Sequence, residues 1–132
     1  MGDAGSTTEI DEERLDRWLH GRCALFAAAL HRVTGLPIHA WIQDDADLGV
    51  PVLVHAFVML GESAVDASGV RDPTELLAEY EHWEPVLVAM TEAEVLAIGE
   101  PPDLDLALTA QAMVDAAIVA AGLAPSLPAP AL

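Results

Sequence analysis

Cys23, His55 and Asp66 are the residues whose types and spacing could support covalent chemistry. Cys23 is the only cysteine in 132 residues, so the chain cannot form an internal disulfide or a multi-cysteine zinc site. It follows Gly21-Arg22 and opens the run CALFAAALHRV. A thiol attacks a carbonyl as its thiolate, which a helix N-terminus favours through its dipole and unsatisfied N–H groups. An adjacent imidazole favours it further. A carboxylate beside that imidazole then fixes its orientation and tautomer. His55 interrupts the apolar run VLVHAFVML, and Asp66 interrupts SAVDA in the same way. Taken singly, Cys23 reads as a core residue, His55 as a hydrogen-bonded core histidine, and Asp66 as the cap of a turn at Ser68-Gly69.

Register links the last two. In an antiparallel hairpin, a two-residue loop at Leu60-Gly61 sets His55 directly opposite Asp66. A loop moved by one position leaves them diagonal neighbours on one face. An odd-length loop puts them on opposite faces.

The elements that must hold these residues follow from periodicity and punctuation. Thr8 to Leu19 reads as a helix with acids in its opening turn. Arg22 to Val33 reads as a second helix, with Leu25, Phe26, Ala29, Leu30 and Val33 at helical spacing, ending at Thr34-Gly35. Pro37 to Ile42 reads as a strand, followed by an acidic loop from Asp44 to Gly49. Val52 to Leu60 is apolar on both faces, as an interior strand is, and Gly61-Glu62 turns it into the returning strand Ser63 to Ala67. Asp72-Pro73-Thr74-Glu75 starts a helix running to His82. Pro85 to Met90 is a strand, Thr91-Glu92-Ala93-Glu94 opens a short helix ending at Gly99, and Leu104 to Ala121 is a long helix closed by Gly122. The expected fold class is α+β: a small, mostly antiparallel sheet packed against a central Cys-bearing helix, with further N- and C-terminal helices. Residues 1–8 are expected to form a disordered tail, 9–122 one domain, and 123–132 a flexible Pro/Ala-rich tail.

The segments GRCALFAAALHRVTGLPI, VHAFVML and AVDASGVRD resemble the core of papain-like and transglutaminase-like cysteine hydrolases. In size and order they are similar to the peptidases that remove leader peptides from bacterial lasso peptides. The resemblance covers residues 20–72. It implies a papain-like minimal fold in which Cys23 is the nucleophile, His55 the general base and Asp66 the orienting residue. Papain-like enzymes carry a Gln ahead of the Cys that helps bind the oxyanion. Here the position six residues before Cys23 is Arg17, and the nearby Gln is Gln43. The backbone N–H of Cys23 supplies one oxyanion donor, and the second is unassigned.

Other residues complete the expected site. Arg22 is a basic residue placed to meet a substrate carboxylate or the thiolate, with solvent exposure as its bland alternative. Trp41 and Gln43 are candidate substrate-binding residues, Trp41 as core or pocket wall. His20 and Cys23 have a spacing that some metal sites use, with His31, His39 and His82 as possible additions, but no second close ligand pair follows and no metal or cofactor is expected.

The charge balance is 22 acidic to 5 basic residues, net -17, and every basic residue is Arg. Such a chain repels nucleic acid and anionic membranes. Its expected partner is a peptide or protein substrate, with a basic one favoured. No apolar run approaches the roughly twenty residues of a membrane span, and the acidic N-terminus does not read as a signal peptide, so the expected location is cytoplasmic. The expected function is a thiol-dependent hydrolase or acyl-transferase acting on an amide or thioester bond. The alternative is a non-catalytic acidic interaction domain or inhibitor on a degenerate version of the same fold.

Overall fold

The helix that begins at Cys23 organises the rest of the molecule. A computed structural model describes residues 10–20, 22–45, 50–79, 85–99 and 106–123. The expected tails, residues 1–8 and 123–132, lie outside the described residues except for Leu123, which ends the last helix and is buried; residues 46–49, His82 and Trp83 also lie outside them. In chain order the elements are α1 (Glu12–His20), α2 (Cys23–Thr34), β1 (Ile38–Asp45), β2 (Val50–Leu60), β3 (Ser63–Asp66), β4 (Gly69–Arg71), α3 (Pro73–Ala78), β5 (Val86–Met90), α4 (Glu92–Gly99) and α5 (Leu106–Leu123). The five strands form one antiparallel sheet in the order β4-β3-β2-β1-β5. The architecture is therefore α+β, with a small antiparallel sheet and five helices among the described residues.

Helix α2 is buried at every position from Ala24 to Leu30, because α5 and α4 pack on it from one side and β2 from the other. Its alanines allow that close approach, while Phe26, Leu25 and Leu30 fill the space between. Burying a side chain of that size contributes roughly 1.5–3 kcal/mol. The helix stops at Gly35, whose φ of 77° is left-handed and whose N–H bonds the carbonyl of His31 at 2.8 Å. Ile38, Ala40, Ile42, Ala56, Val58 and Val65 form the sheet side of this main core. On the other face, Trp41, Phe57, Ala64 and Leu76 form a smaller cluster beneath α3.

Several boundaries differ from expectation. Helix α1 starts at Glu12 rather than Thr8. Strand β1 continues through Gln43 to Asp45, because pairing with β2 runs as far as Asp45–Val50. Gln43 and the first two loop acids thus lie on a strand, not in an acidic loop. Helix α3 ends at Ala78, not at His82. Its start matches the expected signal, with the Asp72 carboxylate accepting from the N–H of Thr74 at 2.8 Å. Thr91 and Glu94 form the expected reciprocal capping box on α4. Gly122 lies inside α5 rather than after it. At 18 residues, α5 is long and apolar enough to cross a membrane by length and composition alone, although Thr109, Gln111 and Asp115 interrupt its apolar run. In the fold it packs along α2.

One acid anchors α5. Asp115 is fully buried and accepts four hydrogen bonds: Arg14 Nε and Nη2, each at 3.1 Å, Trp18 Nε1 at 2.8 Å and Gln111 Nε2 at 2.9 Å. Every oxygen is doubly satisfied, which is what makes a fully buried carboxylate tolerable. The cluster ties α1 to α5.

Candidate active site

Cys23 is the first residue of α2 and is half-buried. Arg22 takes the N-cap position without a side-chain capping bond, and no acid lies in the first turn. The positive end of the helix is thus uncapped by side chains where the sulfur sits.

His55 is buried on β2, directly opposite Trp41 of β1. Between the pairs Trp41–His55 and Ile42–Leu53 the register slips by one, so Val54 is an extra residue on β2. This β-bulge bends the strand immediately beside the histidine, a common device for aiming a side chain. Phe57 sits two residues on, its ring centroid 6.0 Å from that of His55.

Strand β3 returns through a two-residue turn at Gly61-Glu62, where Gly61 has a φ of 63°. The ladder pairs Val58 with Val65 and Leu60 with Ser63. Continued by one step, it sets Asp66 opposite Phe57 and diagonal to His55. The loop is therefore one position later than Leu60-Gly61, and the diagonal arrangement replaces the facing one. Both side chains share a face, and His55 Nε2 donates to Asp66 Oδ2 at 3.1 Å.

The second oxygen of Asp66 accepts from the N–H of Ser68 at 2.9 Å and from its hydroxyl. Asp66 thus both shapes the turn into β4 and holds the histidine. Arg71 on β4 adds a cation 3.9 Å from Asp66 Oδ2 while pairing with Glu79.

The electrostatics tie the three residues together. Burial pulls the His55 imidazole down, but its hydrogen bonds to Asp66 and to the Cys23 thiol, with the charges of both, outweigh that and carry it up to about 9. Burial likewise pushes Asp66 up, yet the hydrogen bonds from His55 and Ser68 and the positive charge of His55 hold it below the usual carboxylate range. Cys23 and Asp66 are thus the two groups that raise the imidazole, Asp66 through the hydrogen bond to Nε2.

Of the remaining expected site residues, Trp41 faces His55 across the strands and Arg22 precedes Cys23 as the N-cap, while Gln43 lies further along β1. Arg22 lines a shallow recess with Arg17, Ala107, Leu108 and Gln111. Gln43 faces Val52, past the bulge from His55, and no hydrogen bond links it to Cys23 or His55 among the described residues. Trp41 is buried, 8% exposed, with Phe57 at 6.2 Å between ring centroids. No cluster of three metal-ligating side chains occurs among the described residues.

Ser68, Arg71, the bulge at Val54 and Gly99 support the site without standing out in the sequence. Only Ser68 has a local signal, since Asp-x-Ser is a common turn-forming spacing. A Cβ on Gly99, at the end of α4, would overlap the side chains of both Ala24 and Leu53. Gly99 therefore sets the separation of α2 from β2 next to Cys23 and the bulge. Compared with protein-family models, curated proteins and solved structures, the chain matches none.

Proposed function

We propose that the chain is a thiol-dependent hydrolase or acyl-transferase on a minimal papain-like fold, acting on an amide or thioester bond. The observation that carries this reading is the buried His55–Asp66 hydrogen bond, with the imidazole raised by both Asp66 and Cys23 and the cysteine at an uncapped helix N-terminus. In the proposed cycle the Cys23 sulfur bonds to the substrate carbonyl carbon, while His55 carries the thiol proton and delivers it to the leaving group. Asp66 keeps His55 in the tautomer that presents Nδ1 to sulfur. The Cys23 backbone N–H serves as one oxyanion donor. Water, or an amine in the transferase case, then attacks the thioester and regenerates the thiol.

The test is the rate of Cys23 alkylation by iodoacetamide at neutral pH, read by intact mass. Fast labelling of the native protein, slowed to the rate of a free peptide thiol by His55→Ala, is the expected result. Equal and slow labelling of both proteins ends the proposal.

A further inference from the structure

The two edges of the sheet are built differently. On one side β4 ends it with three residues, Gly69–Arg71, one of them charged. On the other, β5 ends it with the five uncharged residues Val86–Met90. The pairing of β5 with β1 runs from Ile42–Val86 to Ile38–Met90 without a bulge. Short length, charge, proline and bulges are the devices that keep an edge strand from pairing with another chain. β4 has two of them, and β5 has none within its span.

Burial marks the same edge. Val86, Leu87 and Val88 are 64%, 43% and 37% exposed, and Ala89 is exposed beside them. Successive side chains of a strand point to opposite faces, so apolar surface is open on both faces here. Single exposed apolar residues are ordinary, but three large ones in a row on one edge mark an interaction surface. Among the described residues β5 pairs with β1 alone. The backbone groups on its outer side therefore form a row to which a further strand can bond.

Charge decides between a second copy of this chain and a different partner. No Lys or Arg follows Arg71, whereas Glu81 and Glu84 precede β5 and Glu94 follows it. Two copies paired antiparallel about Val88 would set each acidic flank against the acidic flank of the other, and each chain carries a net charge of -17. Like charges brought together in this way oppose association. A strand with cations at both ends meets the same flanks with the opposite sign.

We propose that β5 is a docking edge for an extended segment of a basic protein, which adds to the sheet as a further strand. Main-chain hydrogen bonds to the outer side of β5 hold the segment, and its side chains cover Val86 and Val88 on one face or Leu87 and Ala89 on the other. Lys or Arg residues at its ends meet the acidic flanks. β5 takes no part in the proposed catalytic cycle, so the docking edge and the thiol reading stand or fall separately.

Three synthetic peptides test this, read by amide hydrogen exchange over Val86–Met90 and by titration calorimetry. The first is Arg-Lys-Val-Thr-Val-Thr-Val-Lys-Arg, and the second has Glu in place of all four cations. The third keeps the cations and carries N-methyl groups on its central Val and Thr residues, which blocks both backbone edges. The first peptide should slow exchange in β5 and bind at least about tenfold more weakly when NaCl rises from about 0.05 to about 0.5 M. The other two should give no protection. Leu87→Lys places a cation on the exposed edge and should weaken the first peptide by at least about tenfold, with the urea midpoint unchanged. Full binding to that variant, equal binding of the Glu-ended or N-methylated peptide, or no protection by the first peptide overturns the proposal. Sedimentation of the free protein as a dimer with β5 already protected overturns it in favour of a second copy.

Discussion

Two buried aspartates of this molecule behave as different objects. Asp115 is held by four donors from Arg14, Trp18 and Gln111. These donors are one guanidinium, one indole N–H and one amide, none of which acts as a proton carrier. Asp66 is held by Ser68 on one oxygen and by His55 on the other, and His55 is also raised by Cys23. The first cluster is closed and serves as a rivet between α1 and α5. The second is left with a partner that can gain or lose a proton and can pass that change to sulfur. Burial alone therefore does not mark a working carboxylate; the titration behaviour of its partner does.

The largest effect should come from breaking the rivet. Asp115→Ala leaves Arg14, Trp18 and Gln111 facing a void, and urea unfolding should show a loss of about 3–5 kcal/mol. The alkylation rate of the folded fraction should not change. The reverse pattern, full stability with a dead thiol, would mean the two clusters are coupled.

The next effect is in pH. His55 is raised from its ordinary value near 6.5 to about 9, so the folded state favours its protonated form. Its contribution is fully present below pH 6.5 and is lost as pH rises through 9, an amount on the order of 3 kcal/mol. Urea midpoints across that window should fall for the native protein and for Asp115→Ala, and stay flatter for His55→Gln. Asp66 has the opposite sign: its lowered value stabilises the fold above the usual carboxylate range, and the gain is lost on acidification.

Smaller again is Asp66→Asn. The amide oxygen can still accept from Ser68, but its NH2 group confronts the donating Nε2 of His55 and disfavours the productive tautomer. Cys23 alkylation should slow by at least about tenfold, and the urea midpoint should fall at pH 6 while its further decline toward pH 9 flattens, as for His55→Gln. The smallest expected effect distinguishes reagents. With a net charge of -17, iodoacetate should label Cys23 a few-fold more slowly than iodoacetamide, and added salt should close the gap.

The contrast also explains what was legible in the sequence. The His55–Asp66 relationship was readable because hairpin parity depends only on loop length, and Gly61 marks the turn. The exact register was not, since a loop at 60–61 and one at 61–62 leave similar apolar faces. The bulge was invisible because Val54 sits in a run where every neighbour is apolar and no residue type announces an extra position. Asp115 was passed over because a lone acid in an Ala/Leu-rich helix reads as a solvated residue, and its partners Arg14 and Trp18 lie about a hundred positions away. Strand β4 has three residues, Gly69–Arg71, too few to show a period. Helices α3 and α4 were legible at their starts, where Asp72 and Thr91 act through contacts within three residues. Local signals were readable from the sequence, and long-range satisfaction was not.

Gly99 gives the last consequence. Its hydrogen atom occupies the space where a methyl would strike Ala24 and Leu53, the neighbours of the thiol and of the bulge that aims the histidine. The site is thus built to a tolerance of about one carbon atom, set by a residue that touches none of the three groups. Glycine and alanine codons differ by one base. A single ordinary mutation could therefore part sulfur from imidazole in a chain that still folds, and the lesion would lie far from any residue that chemistry would lead one to inspect.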